Sequence, residues 1–190
     1  MIDLTKIIEI RWHGRGGQGA VTSAELVAKA AISEDKYAQA FPSFGPERRG
    51  APVLAFNRVS SKERIRVRAE VEEPDIVIVL DPGLLAIVDV TAGIKKDGII
   101  IVNTIKNATA IKQILGTDYL VATVDANKIA MEQLGVPIVN TTMAGALLKV
   151  TDIVKMESMI EPLKERFGRL AERNIKAMEK AYQETKMGDE

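Results

Sequence analysis

The 190-residue chain has no cysteine, one histidine (His13) and one tryptophan. Without cysteine it can form no disulfide, offers no thiolate nucleophile or Cys-ligated zinc, and holds no iron–sulfur cluster. A lone histidine leaves no His-based metal cluster and no Ser-His-Asp triad that dispenses with it. Neither sign of charge is in excess, since 26 Lys and Arg balance 26 Asp and Glu. No global field therefore attracts nucleic acid or an anionic membrane. Long apolar runs are missing as well: the longest, Asp75–Leu80 and Gly98–Val102 with their neighbours, fall short of the roughly 18 residues of a bilayer span. Met1–Lys6 lacks the apolar stretch and small-residue cleavage site of a signal peptide. These absences predict a soluble cytoplasmic protein with no nucleic-acid and no membrane partner.

What is present suits one domain over residues 1–190. Apolar residues make up 46% and charged residues 27%, enough for a sizeable core under a solvated surface. Short β-rich runs alternate with helical ones, which predicts an α/β fold: a mostly parallel central sheet flanked by helices, with an antiparallel hairpin and a C-terminal helical segment. Ile7–Trp12 reads as the first strand, followed by glycines from Gly14 to Gly19. Val21, Ala24, Val27, Ala28, Ala31 and Ile32 then recur at helical spacing. Val53–Val59 and Ile65–Ala69, joined by Ser60-Ser61-Lys62-Glu63, read as antiparallel strands. Asp75–Leu80 and Gly98–Val102 have the unbroken apolar character of strands buried on both faces, and Tyr119–Val124 is a further strand. Helices are predicted from Leu84–Val90, Thr109–Leu115, Asn127–Leu134 and Thr141–Val150. Ser158 and Glu161 have capping-box spacing, which puts Pro162 early in the next helix. Gly168 ends that helix, Leu170, Ile175, Met178 and Tyr182 stripe the following one, and Met187–Glu190 should fray.

The strongest local signal is Trp12-His13-Gly14-Arg15-Gly16-Gly17-Gln18-Gly19-Ala20, between a strand and a helix. Glycines allow positive φ and close approach of a ligand to the backbone. A helix N-terminus just after them presents unpaired N–H groups that suit phosphate. Gly14, Gly16 and Gly19 fit G-x-G-x-x-G, but no acidic residue ends the second strand, where a dinucleotide ribose would be held. That segment ends in Phe41-Pro42, so NAD is the poorer functional reading, and a purely structural tight turn is the alternative.

A second segment, Gln39-Ala40-Phe41-Pro42-Ser43-Phe44-Gly45-Pro46-Glu47-Arg48-Arg49-Gly50-Ala51-Pro52, follows about 25 residues on. With His13–Gly19, the strand ending Leu80-Asp81 and the stretch from Asn140 to Ala146, it closely resembles the gamma subunit of the 2-oxoacid:ferredoxin oxidoreductases, those acting on pyruvate (pyruvate synthase) in particular. The resemblance runs over nearly the whole chain. It implies membership of an enzyme that oxidatively decarboxylates a 2-oxoacid to acyl-CoA and CO2 and reduces ferredoxin. Thiamine pyrophosphate, Mg and the iron–sulfur clusters would then belong to partner subunits, with alpha, beta and delta completing a heterotetramer. The gamma subunit would help bind coenzyme A and pack on alpha and beta, and would be inactive alone. The missing cysteines agree with that division. So does the lack of a thiamine pyrophosphate motif, because Asp97-Gly98 reads only as a turn.

The coenzyme carries a 3′-phosphate and a pyrophosphate, which call for amide donors and cationic side chains. Candidate binding residues are Gly14, Arg15, Gly16, Gly17, Gln18 and Gly19 in the loop, and Arg48 with Arg49 in the turn set by Gly45, Pro46 and Gly50. For the arginine pair, a ligand site and a subunit contact are equally open. No residue is assigned as catalytic or metal-binding. His13 reads as holding the loop through a hydrogen bond, with titration near the chemistry as the alternative. Arg64, Arg66 and Arg68 share one face of the predicted strand and read as solvated. Trp12, Phe41 and Phe44 read as packing beneath the two motifs. A stand-alone nucleotide-binding module and a purely structural assembly subunit remain as competing functions, as do relatives acting on 2-oxoglutarate, 2-oxoisovalerate or indolepyruvate.

Overall fold

The computed structural model describes residues 3–43 and 50–188. Among these residues seven strands form one sheet: β1 (Ile8–Arg15), β2 (Tyr37–Pro42), β3 (Pro52–Ser60), β4 (Ile76–Val79), β5 (Ile99–Asn103), β6 (Leu120–Val124) and β7 (Lys186–Met187). Among the described residues six α-helices accompany it: α1 (Ala20–Ser33), α2 (Ala108–Leu115), α3 (Ala126–Leu134), α4 (Asn140–Val150), α5 (Met156–Phe167) and α6 (Ala171–Glu184). The strand order is β2-β3-β1-β4-β5-β6-β7, with β1, β4, β5 and β6 mutually parallel at the centre. β2, β3 and β7 pair antiparallel. This is the expected α/β architecture.

The alternation of side chains along each strand decides what each face carries. Ile10, Trp12, Ile76, Ile78, Leu80 and Ile101 point to the larger core, which α1, α3, α4, α5 and α6 cover. Val77, Val79, Ile100 and Val102 point to a smaller one closed by Leu84, Val90 and Ile111. The tightest helix contact is α4 on α6, where Gly145 meets the backbone of Met178: a methyl there would fall 2.1 Å from the Met178 carbonyl oxygen. Gly145→Ala should therefore destabilise the chain by about 3 kcal/mol, the upper end for overpacking because backbone must move. A chemical denaturation midpoint shift without a change in slope would show it.

Four expectations are corrected. Ile65–Ala69 is not a strand, because β1 and β2 already occupy both edges of β3. The segment instead runs irregularly across the sheet, and buried Arg58 donates to the carbonyls of Val67 and Ala69 at 3.3 and 2.8 Å. Arg64, Arg66 and Arg68 stand exposed on it. Leu84–Val90 forms only a 3-10 turn, Pro82–Ala86; buried Arg11 takes the Val90 and Ala92 carbonyls, at 3.1 and 2.6 Å. Pro162 lies inside α5 rather than at its start. The helix begins at Met156 because Glu34 accepts from the Lys155 amide at 2.6 Å, a tertiary contact. Finally, Lys186–Met187 pairs with β6 and covers an otherwise open sheet edge.

Candidate functional site

In an open α/β sheet, ligands bind beyond the carboxyl ends of the strands where the strand order reverses. Here that point is the boundary of β1 with β4, since the chain leaves β1 toward β2 on one side and returns to β4 on the other. The glycine loop caps β1 there, and Asp81 follows β4 directly. The strand inserted beside β1 is the antiparallel β3, not β2. A ribose-binding acid at the end of the second strand would thus sit one strand too far from the loop.

The loop is held from within. The Arg15 amide donates to Gln18 Oε1 at 2.8 Å, and the Gln18 amide returns to the Arg15 carbonyl at 3.0 Å. Arg15 Nε and Gln18 Nε2 both donate to Asp81 Oδ2, at 2.9 and 3.0 Å, while Asp81 Oδ1 accepts from the Gly83 amide. Arg15 Nη1 reaches the Gly50 carbonyl at 3.1 Å, and the Gly16 amide bonds to Ala51. Arg15, Gln18, Asp81 and the 50–51 turn are therefore one unit. Sequence reading did not assign Asp81 a role; its signal was its place as the first polar residue after a fully apolar strand.

Gly17 and Gly19 hold φ of 97° and 85°, where a side chain is strained. Gly14 lies close against the first helical residue: a methyl there would be 3.2 Å from Ala20 Cβ. Gly17 faces open space, with nothing within 4 Å of where its Cβ would stand. α1 starts at Ala20 without a side-chain cap, so its first amides have no intrahelical acceptor. That first turn, with the loop and Val53, lines a cleft of about 360 Å³. Gly19 also touches Asn140 at the start of α4, where an added methyl would lie 2.9 Å from Asn140 Cβ. Asn140 is a contact that sequence reading left without a role.

His13 is buried, and its Nε2 accepts from Arg11 Nε at 3.0 Å. Burial, then the adjacent guanidinium, push its pKa down to about 3. His13 is thus a neutral acceptor that orients Arg11, rather than a proton carrier at the loop. Trp12 and Phe41 pack as expected: Trp12 Nε1 donates to Asn57 Oδ1 at 2.8 Å, and Phe41 lies 5.3 Å from Phe56, ring centre to ring centre. Arg48, Arg49 and Phe44 lie outside the described residues. Among the described residues no group of three acidic, His or Cys side chains is placed to hold a metal ion. No helix among them is long and apolar enough to cross a membrane.

A glycine loop followed by an uncapped helix start, at the switch point of an α/β sheet, is the site that the fold defines. The chain belongs to the pyruvate ferredoxin/flavodoxin oxidoreductase family, whose profile matches residues 9–184, and within it is a gamma subunit of the 2-oxoacid:ferredoxin oxidoreductases. It is 52% identical over 183 residues to the common gamma subunit of the pyruvate and ketoisovalerate oxidoreductases of Pyrococcus abyssi, covering 95% of this chain and 98% of that one. The crystal structure of pyruvate oxidoreductase subunit PORC from Thermotoga maritima superposes with a TM-score of 0.85 at 39% identity, over 96% of this chain and 98% of that one. The same fold recurs at 19% identity and a TM-score of 0.75 in the 2-oxoglutarate:ferredoxin oxidoreductase of Magnetococcus marinus, solved with 2-oxoglutarate, coenzyme A and succinyl-CoA bound. There 94% of this chain matches 31% of a longer polypeptide.

Proposed function

We propose that this subunit supplies part of the coenzyme A site of an oxidoreductase whose 2-oxoacid is pyruvate, and that it packs against the alpha and beta subunits. The observation that carries the reading is the uncapped start of α1, whose first turn lines the glycine cleft together with Gly17. Such a group of donors, with the positive end of a helix behind it, suits a pyrophosphate or phosphate. Arg15 is held over the cleft by Asp81, which keeps one cation beside those amides without letting it collapse into them. Arg48 and Arg49 remain candidates for the coenzyme's phosphates or for a subunit contact. Thiamine pyrophosphate, Mg and the clusters that pass electrons to ferredoxin belong, in this reading, to alpha, beta and delta in the cytoplasm. The Pyrococcus abyssi gamma subunit, shared by enzymes for two oxoacids, supports a division in which gamma does not choose the carbon chain.

The test is pyruvate- and coenzyme A-dependent reduction of a viologen dye by the reconstituted complex. Gly17→Asp points a carboxylate into open space over the cradle and should raise the Michaelis constant for coenzyme A about tenfold, the worth of roughly one charge-assisted hydrogen bond. The constant for pyruvate should stay as it is. Arg48→Ala and Arg49→Ala, run alongside with assembly checked by size, separate ligand groups from subunit contacts. An assembled Gly17→Asp enzyme with wild-type kinetics would leave a purely structural subunit. Full activity of a complex lacking this chain would refute its place in the reaction.

A further inference from the structure

We propose that residues 64–68 are a docking strand: an extended acidic segment of a neighbouring subunit pairs with them as an added β-strand, its carboxylates opposite Arg64, Arg66 and Arg68. The inference rests on the packing of this chain against other subunits and is independent of the coenzyme A site.

The segment has the marks of a strand without a ladder partner. Its arginines alternate with Ile65, Val67 and Ala69, and the chain runs without turn or bend from Glu63 to Arg68. The Ile65, Val67 and Ala69 carbonyls accept from side chains of the sheet: from Gln39 Nε2 at 3.3 Å, and from Arg58 Nη1 at 3.3 and 2.8 Å. In an extended chain alternate residues turn their N–H and C=O to one side and those between them to the other. The backbone groups of Arg64, Arg66 and Arg68 therefore point away from Gln39 and Arg58, as an open edge. Among the described residues these three arginines make no hydrogen bond and no ion pair, by backbone or side chain.

Both ends of the segment are fixed. The Lys62 and Glu63 amides donate to Ser60 Oγ at 3.2 and 2.9 Å, and Val71 is buried against Phe41 and Phe56. The middle is held out between them, with Val67 57% exposed. An unpaired edge of this kind is a template for another strand. Below it, Gln39 Oε1 is buried with no donor. Its amide makes one of the two bonds it could make to Ile65, whose own N–H has no partner among the described residues. A partner strand that presses the segment onto the sheet would let the Ile65 N–H reach that oxygen.

Charge selects the occupant. Side chains at alternate positions share one face, so the three guanidinium groups line up with no acid between them. The nearest acids, Glu63 and Glu70, lie at the two ends, and Glu70 accepts from Ser43 Oγ at 2.6 Å. A second copy paired about Arg66 would set arginine against arginine, which is destabilising. A strand with Asp or Glu at alternate positions meets all three.

Hydrogen exchange by mass spectrometry on the isolated chain and on the assembled complex is the first test. Assembly should protect the Arg64, Arg66 and Arg68 amides. The second test replaces all three, as Arg64→Glu, Arg66→Glu and Arg68→Glu, and measures association with the other subunits by size and by titration. The melting temperature of the isolated chain should not change, while binding to the other subunits should weaken at least about tenfold and lose its sensitivity to salt. Lysine at all three positions should keep assembly. Exchange at residues 64–68 that is equal in the two states would overturn the docking strand and leave subunit packing standing. Protection together with wild-type affinity of the glutamate variant would overturn the acidic partner. Failure of the wild-type chain to associate with alpha and beta would remove the packing reading and this inference with it. The exchange measurement uses wild-type protein, so it decides even where the triple variant does not fold.

Discussion

Gly19→Ala should lower the melting temperature of this subunit by about 6–12 °C, the shift expected for a loss of roughly 3 kcal/mol in a chain of this size. Two costs add. A non-glycine residue at φ of 85° pays about 1–2 kcal/mol for the left-handed conformation. The new methyl would also lie 2.9 Å from Asn140 Cβ and 3.0 Å from its Nδ2, an overpacking of about 1–3 kcal/mol because Asn140 is anchored by α4. Gly17→Ala is the control that separates the terms. Its φ is as unfavourable, at 97°, but its methyl meets nothing within 4 Å, so only the conformational cost of about 1–2 kcal/mol applies. Equal melting temperatures for the two variants would show that the Gly19–Asn140 contact yields easily.

The second large effect is on acid stability. His13 has its pKa pushed down to about 3 by burial first and by Arg11 next, whereas an unfolded histidine titrates near 6.5. The unfolded chain therefore binds a proton that the folded chain refuses. Stability from this group is intact above about pH 6.5 and is lost as the pH falls toward about 3. At pH 5 the loss should be about 2 kcal/mol, set by the unfolded value because the folded one still lies well below. His13→Gln keeps an acceptor for Arg11 Nε and has no such proton. Its stability should fall less between pH 7.5 and pH 5, by about the same 2 kcal/mol, as read by denaturant unfolding at each pH. Parallel pH profiles for the two proteins would mean that His13 is protonated in the folded state.

The sequence by itself was enough for the alternation of buried strands and helices, for the glycine loop at the end of β1 and for the family. Those features are local or periodic: unbroken apolar runs such as Ile76–Leu80 can only be buried strands, and Gly17 and Gly19 stand where the backbone turns left-handed. The missing cysteines excluded iron–sulfur chemistry without any structure. What only the tertiary structure decided comes from contacts between residues far apart in the chain. Ile65–Ala69 has the composition of a strand but no edge to pair with, because β2 returns to fill the place beside β3. The helix expected over Leu84–Val90 gives way because a guanidinium 79 residues earlier takes the Val90 carbonyl. Arg15 and Gln18 were legible as donors, yet their shared anchor on Asp81 spans more than 60 residues. Asn140 meets Gly19 across more than a hundred. Chain entropy makes such encounters invisible to any local pattern; they exist only once the sheet has brought the ends of β1 and β4 side by side.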